Sequence, residues 1–406
     1  MKKHYYCFIL SMLLSTAITA QGWWYRKADL NLSGRTAAVG FCIGTGGFIG
    51  TGFDSSSYRR NFSSYNQLTD TWTQIESMGG PTGGGLSRNA AAVFVIGNKA
   101  YIAMGQGSNP FLNDLWEYDA VSDSWMQKAN FAGTPRRSAV GFTANSKGYI
   151  TCGQDVGGFK NDTWMYDPAT NAWTSKAAFP GTARRLPVAF VISNIAYVGT
   201  GDDGAFKKDF YKYTASTNTW SPVANFGGSP RYGAAAFIIG TDGYVGTGYD
   251  NSLSNKRDFW KYNSLLNTWT AITDFAGTPR SNAVAFAIGS YGYLATGYDS
   301  LPRNDVWRYD PVSNGFDEIE KLGSSLKVYP NPMHESSTIT FNSESLNAFA
   351  DISFYLFDIS GKMIREERRL STAELKIERE GLQPGVYVYR LVADKRNVAS
   401  GKLIVQ

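Results

Sequence analysis

"NDTWMYDPATNAW" occupies residues 161–173, with close copies at 113–125 ("NDLWEYDAVSDSW") and 304–316 ("NDVWRYDPVSNGF"). Each copy holds two short apolar and aromatic runs separated by a polar turn, the pattern of a β-hairpin. Upstream of each lies an arginine, and the arginines set a register: Arg35, Arg88, Arg136, Arg184, Arg231 and Arg280. Six positions after each comes Phe (Phe41, Phe94, Phe142, Phe190, Phe237, Phe286). Thirteen after comes an aromatic (Phe48, Tyr101, Tyr149, Tyr197, Tyr244, Tyr293), and seventeen after comes Gly (Gly52, Gly105, Gly153, Gly201, Gly248, Gly297). Six copies holding one register define an internal repeat with a period of 47 to 53 residues.

Within a copy the runs read as four antiparallel strands, a to d. Copy five gives "AAAFIIG", a turn at Thr241-Asp242-Gly243, "YVGTG", the loop "YDNSLSNKR", then "DFWKYN", a turn and "TWTAIT". A four-stranded sheet has two apolar faces and buries them only against neighbours, so six such sheets are expected to close into a ring. Strand a, rich in small residues such as Ala234-Ala235-Ala236, belongs at the crowded axis; the strand-d tryptophans (Trp72, Trp125, Trp173, Trp220, Trp269) belong in the wider gaps further out. A strand-d Trp usually precedes the next arginine by eleven residues, and eleven before Arg35 stands Trp24, in "WWYRKADL". The last copy has Phe316 where its Trp should be. Residues 23–30 are therefore expected to complete the sixth sheet; the alternative is that "FDEIEKL" (316–322) does so.

The ends of the chain differ from the repeat. Residues 1–20 read as a secretory signal: a basic "MKK", the apolar core "CFILSMLLSTAI" and small residues before Gln21. That core is too short to span a bilayer, and no later stretch is apolar enough. Without Lys2 and Lys3 the formal charge drops from +5 to +3, too weak a balance to argue for nucleic acid or an anionic membrane. Cys42 and Cys152 fall in different copies, which argues against a structural disulfide. After Gly323 the repeat stops, and "STITF", "ADISFYLFDIS", "GVYVYRLVA" and "GKLIVQ" read as strands of a small two-sheet sandwich.

Two resemblances follow. Arg before strand a, Gly ending strand b, "W-x-Y-D" in strand c and Trp in strand d resemble Kelch repeats over residues 23 to about 322, although the usual Gly-Gly ending strand b is here Thr-Gly, Cys-Gly or Met-Gly. "VYPNP" (328–332), "FDISGK" (357–362), "LQPGVYVYRL" (382–391) and the closing "GKLIVQ" resemble the type A C-terminal sorting domain of type IX secretion. The expected fold is all-β: a signal peptide (1–20), a six-bladed Kelch-like β-propeller (21–322) and a small C-terminal Ig-like β-sandwich (323–406). The second resemblance implies passage across an outer membrane by the type IX export machinery, removal of the tail, and release or attachment to surface glycolipid. An ordinary Ig-like module is the alternative for the tail.

Candidate chemistry is sparse. The chain has two histidines, His4 and His334, so the repeat region has none, which excludes His-ligated metals and His-dependent triads there. No cofactor or metal is expected. Two positions after the strand-b Gly, five copies have Asp: Asp54, Asp155, Asp203, Asp250 and Asp299, with Gly107 the exception. This Asp ring and the Arg ring should share one mouth. They read either as an acid–base site or as a device repeated in every copy to hold the turns, and a feature repeated six times meets a need that recurs six times. The residues that vary at the same mouth are better candidates for recognition. One after the Gly these are Phe53, Gln106, Gln154, Asp202, Tyr249 and Tyr298; one after the Arg, Thr36, Asn89, Arg137, Arg185, Tyr232 and Ser281. Aromatic faces, amides and guanidinium groups could stack on sugars or grip a polar peptide. The Gly-rich "GGPTGGGLS" (79–87) lacks the Lys-Ser/Thr and helix of a phosphate loop and reads as a rim loop. The function expected is binding or scaffolding of extracellular glycan or protein by an exported, monomeric, non-enzymatic propeller; the alternative is a carbohydrate-active enzyme, of sugar isomerase or mutarotase type, using the Arg/Asp mouth.

Overall fold

The register read from the sequence is a set of contacts. The Phe of strand a and the aromatic of strand b are paired directly across the sheet, as Phe41↔Phe48 and Phe237↔Tyr244. In all six copies these rings stack, with centroids 5.1–5.6 Å apart and planes within 4–11° of parallel. A side chain at Gly47, Gly148, Gly243 or Gly292 would run into the Phe of the preceding copy, so neighbouring sheets interlock there. The Gly ending strand b has φ between +95° and +106° in every copy, and a Cβ would lie 2.7–3.1 Å from a backbone carbonyl. Only glycine fits both demands.

The computed structural model describes residues 22–81, 87–108, 111–312, 326–341, 349, 351–394 and 396–406. The signal segment, residues 82–86 of the Gly-rich loop and the candidate strand at 316–322 lie outside the described residues. The described residues form only strands and irregular segments, with no helix. In the repeat region they make six four-stranded antiparallel sheets. Copy five is typical, with strands Ala235–Ile239, Asp242–Gly246, Phe259–Asn263 and Thr268–Ile272 in that spatial order. The sixth sheet takes its fourth strand, β1 (Trp23–Lys27), from the other end of the chain, paired with Val306–Asp310 in the register Trp24↔Tyr309.

Two circles of backbone hydrogen bonds tie the sheets together. The N–H of Ala37 donates to the carbonyl of Asn282 (3.1 Å), that of Ala90 to Ala37, Ser138 to Ala90, Leu186 to Ser138, Gly233 to Leu186 and Asn282 to Gly233, which returns to the start. The strand-b Gly N–H donates to the carbonyl of the next copy's Arg, from Gly52 to Arg88 (2.7 Å) through to Gly297 and Arg35 (2.9 Å). Further out, each strand-d indole N–H donates to a carbonyl of the preceding sheet: Trp72, Trp125, Trp173, Trp220 and Trp269 at 2.9–3.1 Å, and Trp24 to Thr273 at 3.3 Å. Trp24, fully buried, packs against Phe237, Phe259, Phe275 and Tyr309.

The tail forms two further sheets, one of three strands (Lys327–Tyr329, Ser336–Thr340, Glu374–Glu378) and one of four (Ile352–Asp358, Met363–Glu367, Gly385–Ala393, Arg396–Val405). Ile339 and Ile377 of the first meet Phe354, Leu391 and Leu403 of the second in one core. Trp23 and Tyr25, on the face of β1 opposite Trp24, join that core. The Ser360-Gly361-Lys362 turn is closed by the Lys362 carbonyl accepting from the Asp358 N–H at 3.0 Å. Both Cys42 and Cys152 are free thiols.

Candidate functional site

Each ring arginine lies beneath the mouth with almost no exposure. Its Nη1 donates to the carbonyl before the strand-b Gly, for example Arg184 to Thr200 (3.0 Å) and Arg231 to Thr247 (2.9 Å). The carboxylate it grips is not the Asp ring singled out in the sequence. Arg184 binds Asp209 with both terminal nitrogens (2.5 and 2.8 Å), Arg231 binds Asp258 (2.6 and 2.8 Å) and Arg280 binds Asp305 (2.5 and 2.7 Å). Arg88 and Arg136 pair in the same way with Asp114 and Asp162. Asp114, Asp162 and Asp305 are the aspartates of the "ND" that opens the quoted repeat, and Asp209 and Asp258 hold the same place after Lys208 and Arg257. Where a Trp stands two residues on (Trp116, Trp164, Trp260, Trp307), it donates its indole N–H to the same carboxylate at 2.7–2.9 Å. The guanidinium also lies 4.9–5.1 Å from the ring of Phe131, Phe179, Phe226 or Phe275 in copies three to six. Copy one differs: Arg35 meets Asn61 (3.3 Å), and burial pushes its guanidinium down to about 10.

The loop aspartates do other work. Asp155 accepts from Thr134 (2.7 Å), Lys160 (2.9 Å) and the Gly157 N–H (2.8 Å); Asp250 accepts from Ser229, Lys256 and Ser252. Asp54 pairs with Arg59 and Ser33, Asp203 with Lys207, and Asp299 with Arg303 and Thr278. Each therefore pins its own loop to the connection before strand a. Burial alone would raise the Asp203 carboxyl, but hydrogen bonds from Lys207, Thr182 and the Ala205 N–H outweigh it and hold it at about 2. In Asp54, Asp155, Asp250 and Asp299 burial is outweighed in the same way, and all four sit below the usual carboxylate range.

The variable positions sit on the rim and pair one to one through short antiparallel bridges: Thr36 with Phe53, Asn89 with Gln106, Arg137 with Gln154, Arg185 with Asp202, Tyr232 with Tyr249 and Ser281 with Tyr298. Their side chains do not all meet. A continuous arc runs over copies two to five. Arg137 donates to Gln106 and, at 3.4 Å, to Gln154. Arg185 donates to the same Gln154 oxygen (3.2 Å) and to Asp202 (2.9–3.0 Å). Tyr232 then faces Tyr249 at 5.6 Å and Phe206 at 4.9 Å. Phe53 instead packs on Tyr58 (5.3 Å), and Tyr298 stands exposed at 43%. Three aromatics of the b–c loops that the sequence did not single out belong to the arc: Phe206, with Phe111 and Phe159 lying 5.4 and 5.7 Å from Arg137 and Arg185. Below the rim is a central cavity of about 430 Å³ whose wall includes Gly40, Val93, Gly141, Ala189, Ala236 and Ala285.

Residues 31–197 match the family model described as the KLHDC2/KLHL20/DRC7 Kelch-repeats domain, and residues 327–406 match that of the secretion system C-terminal sorting domain. The chain carries Kelch repeats and a type IX sorting domain. A solved structure titled "Structure of YjhT" is similar to this chain with a TM-score of 0.58, covering 70% of this chain and 95% of that one at 15% identity, a likeness of fold alone. No curated protein matches the chain. The Kelch region is thus a β-propeller, and the sorting domain implies export through the type IX machinery. Among the described residues no cluster of His, Cys, Asp and Glu is arranged to hold a metal, and no helix is long and apolar enough to cross a membrane. The Kelch Gly-Gly is here a pair of consecutive left-handed residues whose first member is not Gly, with φ of +58° to +65° at Thr51, Met104, Cys152, Thr200, Thr247 and Thr296.

Proposed function

We propose that the chain is a six-bladed Kelch-like propeller with an Ig-like sandwich as its sorting tail, and that it acts outside the cell by binding extracellular glycan or protein at its rim. The observation that carries this reading is the arc from Gln106 through Arg137, Gln154, Arg185 and Asp202 to Tyr232 and Tyr249. It is irregular where the rest of the propeller repeats, and it joins hydrogen-bonding groups to aromatic faces. An enzymatic reading lacks a comparable observation. The loop carboxylates are held in ion pairs and below the usual range, which makes them weak bases, and the buried ring arginines of copies two to six are each held by a carboxylate of their own.

The test is binding to glycan and protein arrays by the full chain, with turnover of each bound sugar followed in parallel. Binding without turnover is expected. Replacing Tyr232 and Tyr249 together by Ala should weaken it by about tenfold or more, given the usual worth of aromatic contacts. Sugar interconversion that disappears in Arg185→Gln or Asp203→Asn, with the fold intact, would instead make the protein an enzyme.

A further inference from the structure

Two guanidinium groups on neighbouring blades, Arg137 and Arg185, converge on one amide oxygen, that of Gln154 (3.4 and 3.2 Å). Only Arg185 has a carboxylate, Asp202. Among the described residues Arg137 has amide oxygens as partners and no carboxylate, and its Nε is buried without a partner. Burial, and then the charge of Arg185, push the Arg137 guanidinium down from its ordinary value. The arc therefore holds two positive charges against one negative charge, a poor arrangement for stability alone. By contrast, Arg88, Arg136, Arg184, Arg231 and Arg280 in the layer below each have a carboxylate of their own.

We infer that the rim arc takes an acidic saccharide, its carboxylate or sulfate seated between Arg137 and Arg185 and its sugar ring laid against Tyr232 and Tyr249. This rests on the rim being a binding surface, as proposed above. A planar guanidinium offers a fork that suits a two-oxygen anion, and a half-buried one gains more from it than an exposed one. The aromatic end of the arc is continuous with the charged end: Arg185 and Asp202 both lie close enough to Tyr232 to act on its hydroxyl, which burial raises. The Oδ1 atoms of Asn89 and Asn255 are also buried without partners among the described residues. Asn89 is bridged to Gln106, the neighbour of Arg137, and Asn255 pairs across from Tyr249. Orphaned acceptors flanking a cationic and aromatic arc suit hydroxyl donors, which a saccharide supplies at short intervals.

The test is calorimetric titration of the full chain with four probes: an oligogalacturonate, the same oligomer with its carboxyls reduced to alcohols, a sulfated neutral oligosaccharide, and a glutamate-rich peptide. The uronate or the sulfated oligomer should bind at least about tenfold tighter than the reduced one, and the two arms identify the anion. Arg137→Gln should abolish that preference, Arg137→Lys should keep part of it, and thermal melting should show both variants folded. If acid and reduced oligomers bind equally, and Tyr232→Ala weakens both while Arg137→Gln weakens neither, the anion inference fails and the rim reading survives. Tighter binding of the peptide than of any saccharide overturns the inference in favour of a protein ligand. Absence of any binding that responds to a rim substitution overturns both.

Discussion

At the scale of single residues, the most consequential group is the buried guanidinium with its paired carboxylate. In Arg184 and Asp209 both charges are satisfied by a two-point bond, so the pair costs little while intact and much when broken. Asp209→Ala should destabilise the propeller by roughly 3–5 kcal/mol, because a fully buried cation is left behind. The first copy is a natural counterexample, with Asn61 where the others have Asp and with the Arg35 guanidinium pushed down to about 10 by burial. Asn61→Asp should therefore raise stability in urea by about 1–2 kcal/mol; a loss of stability would mean that Asn61 meets a need of its own. The loop carboxylates make an acid-range prediction. Asp203 titrates at about 2 in the folded chain against 3.8 when free, so its contribution is present above 3.8 and disappears as pH falls towards 2. Urea midpoints measured over that range should fall with acidification, and Asp203→Asn should make the fall shallower.

At the scale of the element, the decisive piece is β1, which lies at the far end of the chain from the sheet it completes. Trp24→Ala removes a fully buried indole from between two sheets and should cost about 3–5 kcal/mol. The same change at the half-buried Trp220 should cost less, because half-buried strand-d indoles have less to lose; equal costs in denaturant titrations would deny β1 its special role. This strand was legible in the sequence because Trp24 keeps the eleven-residue spacing to Arg35. The rest of the repeat was legible for a similar reason: Phe, aromatic and Gly are each fixed by a contact at constant spacing along two adjacent strands. The true carboxylate of the Arg ring escaped notice because it lies beyond a loop of variable length, 25 to 27 residues from its arginine. The loop aspartates keep a constant spacing of nineteen, so they are the carboxylates that the repeat displays. The rim was legible only in part. Which positions vary is plain from the repeat, but that Arg137 and Arg185 share Gln154, or that Phe206 lies against Tyr232, depends on loop paths that no periodicity encodes.

At the scale of the whole molecule, the ring and the tail meet at β1. One face of that strand completes the sixth sheet through Trp24, and the other places Trp23 and Tyr25 in the core of the sorting domain. The two hydrogen-bonded circles that close the ring run through residues 35–297 and need nothing from the tail. Removal of the tail should thus leave the ring closed but uncover one side of its last strand. Mass spectrometry of culture supernatant and cell surface should find a mature chain beginning near Gln21 and lacking the final eighty or so residues. Hydrogen exchange compared between that chain and the full one should be faster at residues 23–27 after processing and unchanged at Ala90, Ser138 and Leu186, whose N–H groups belong to the inner circle. Faster exchange around the whole circle would mean that the tail holds the propeller shut, and recovery of unprocessed chain only inside the cell would remove the export reading altogether. Slow exchange everywhere in the processed chain would show β1 held by Trp24 and its ladder to Val306–Asp310 alone, with the sorting domain a passenger on a propeller already complete.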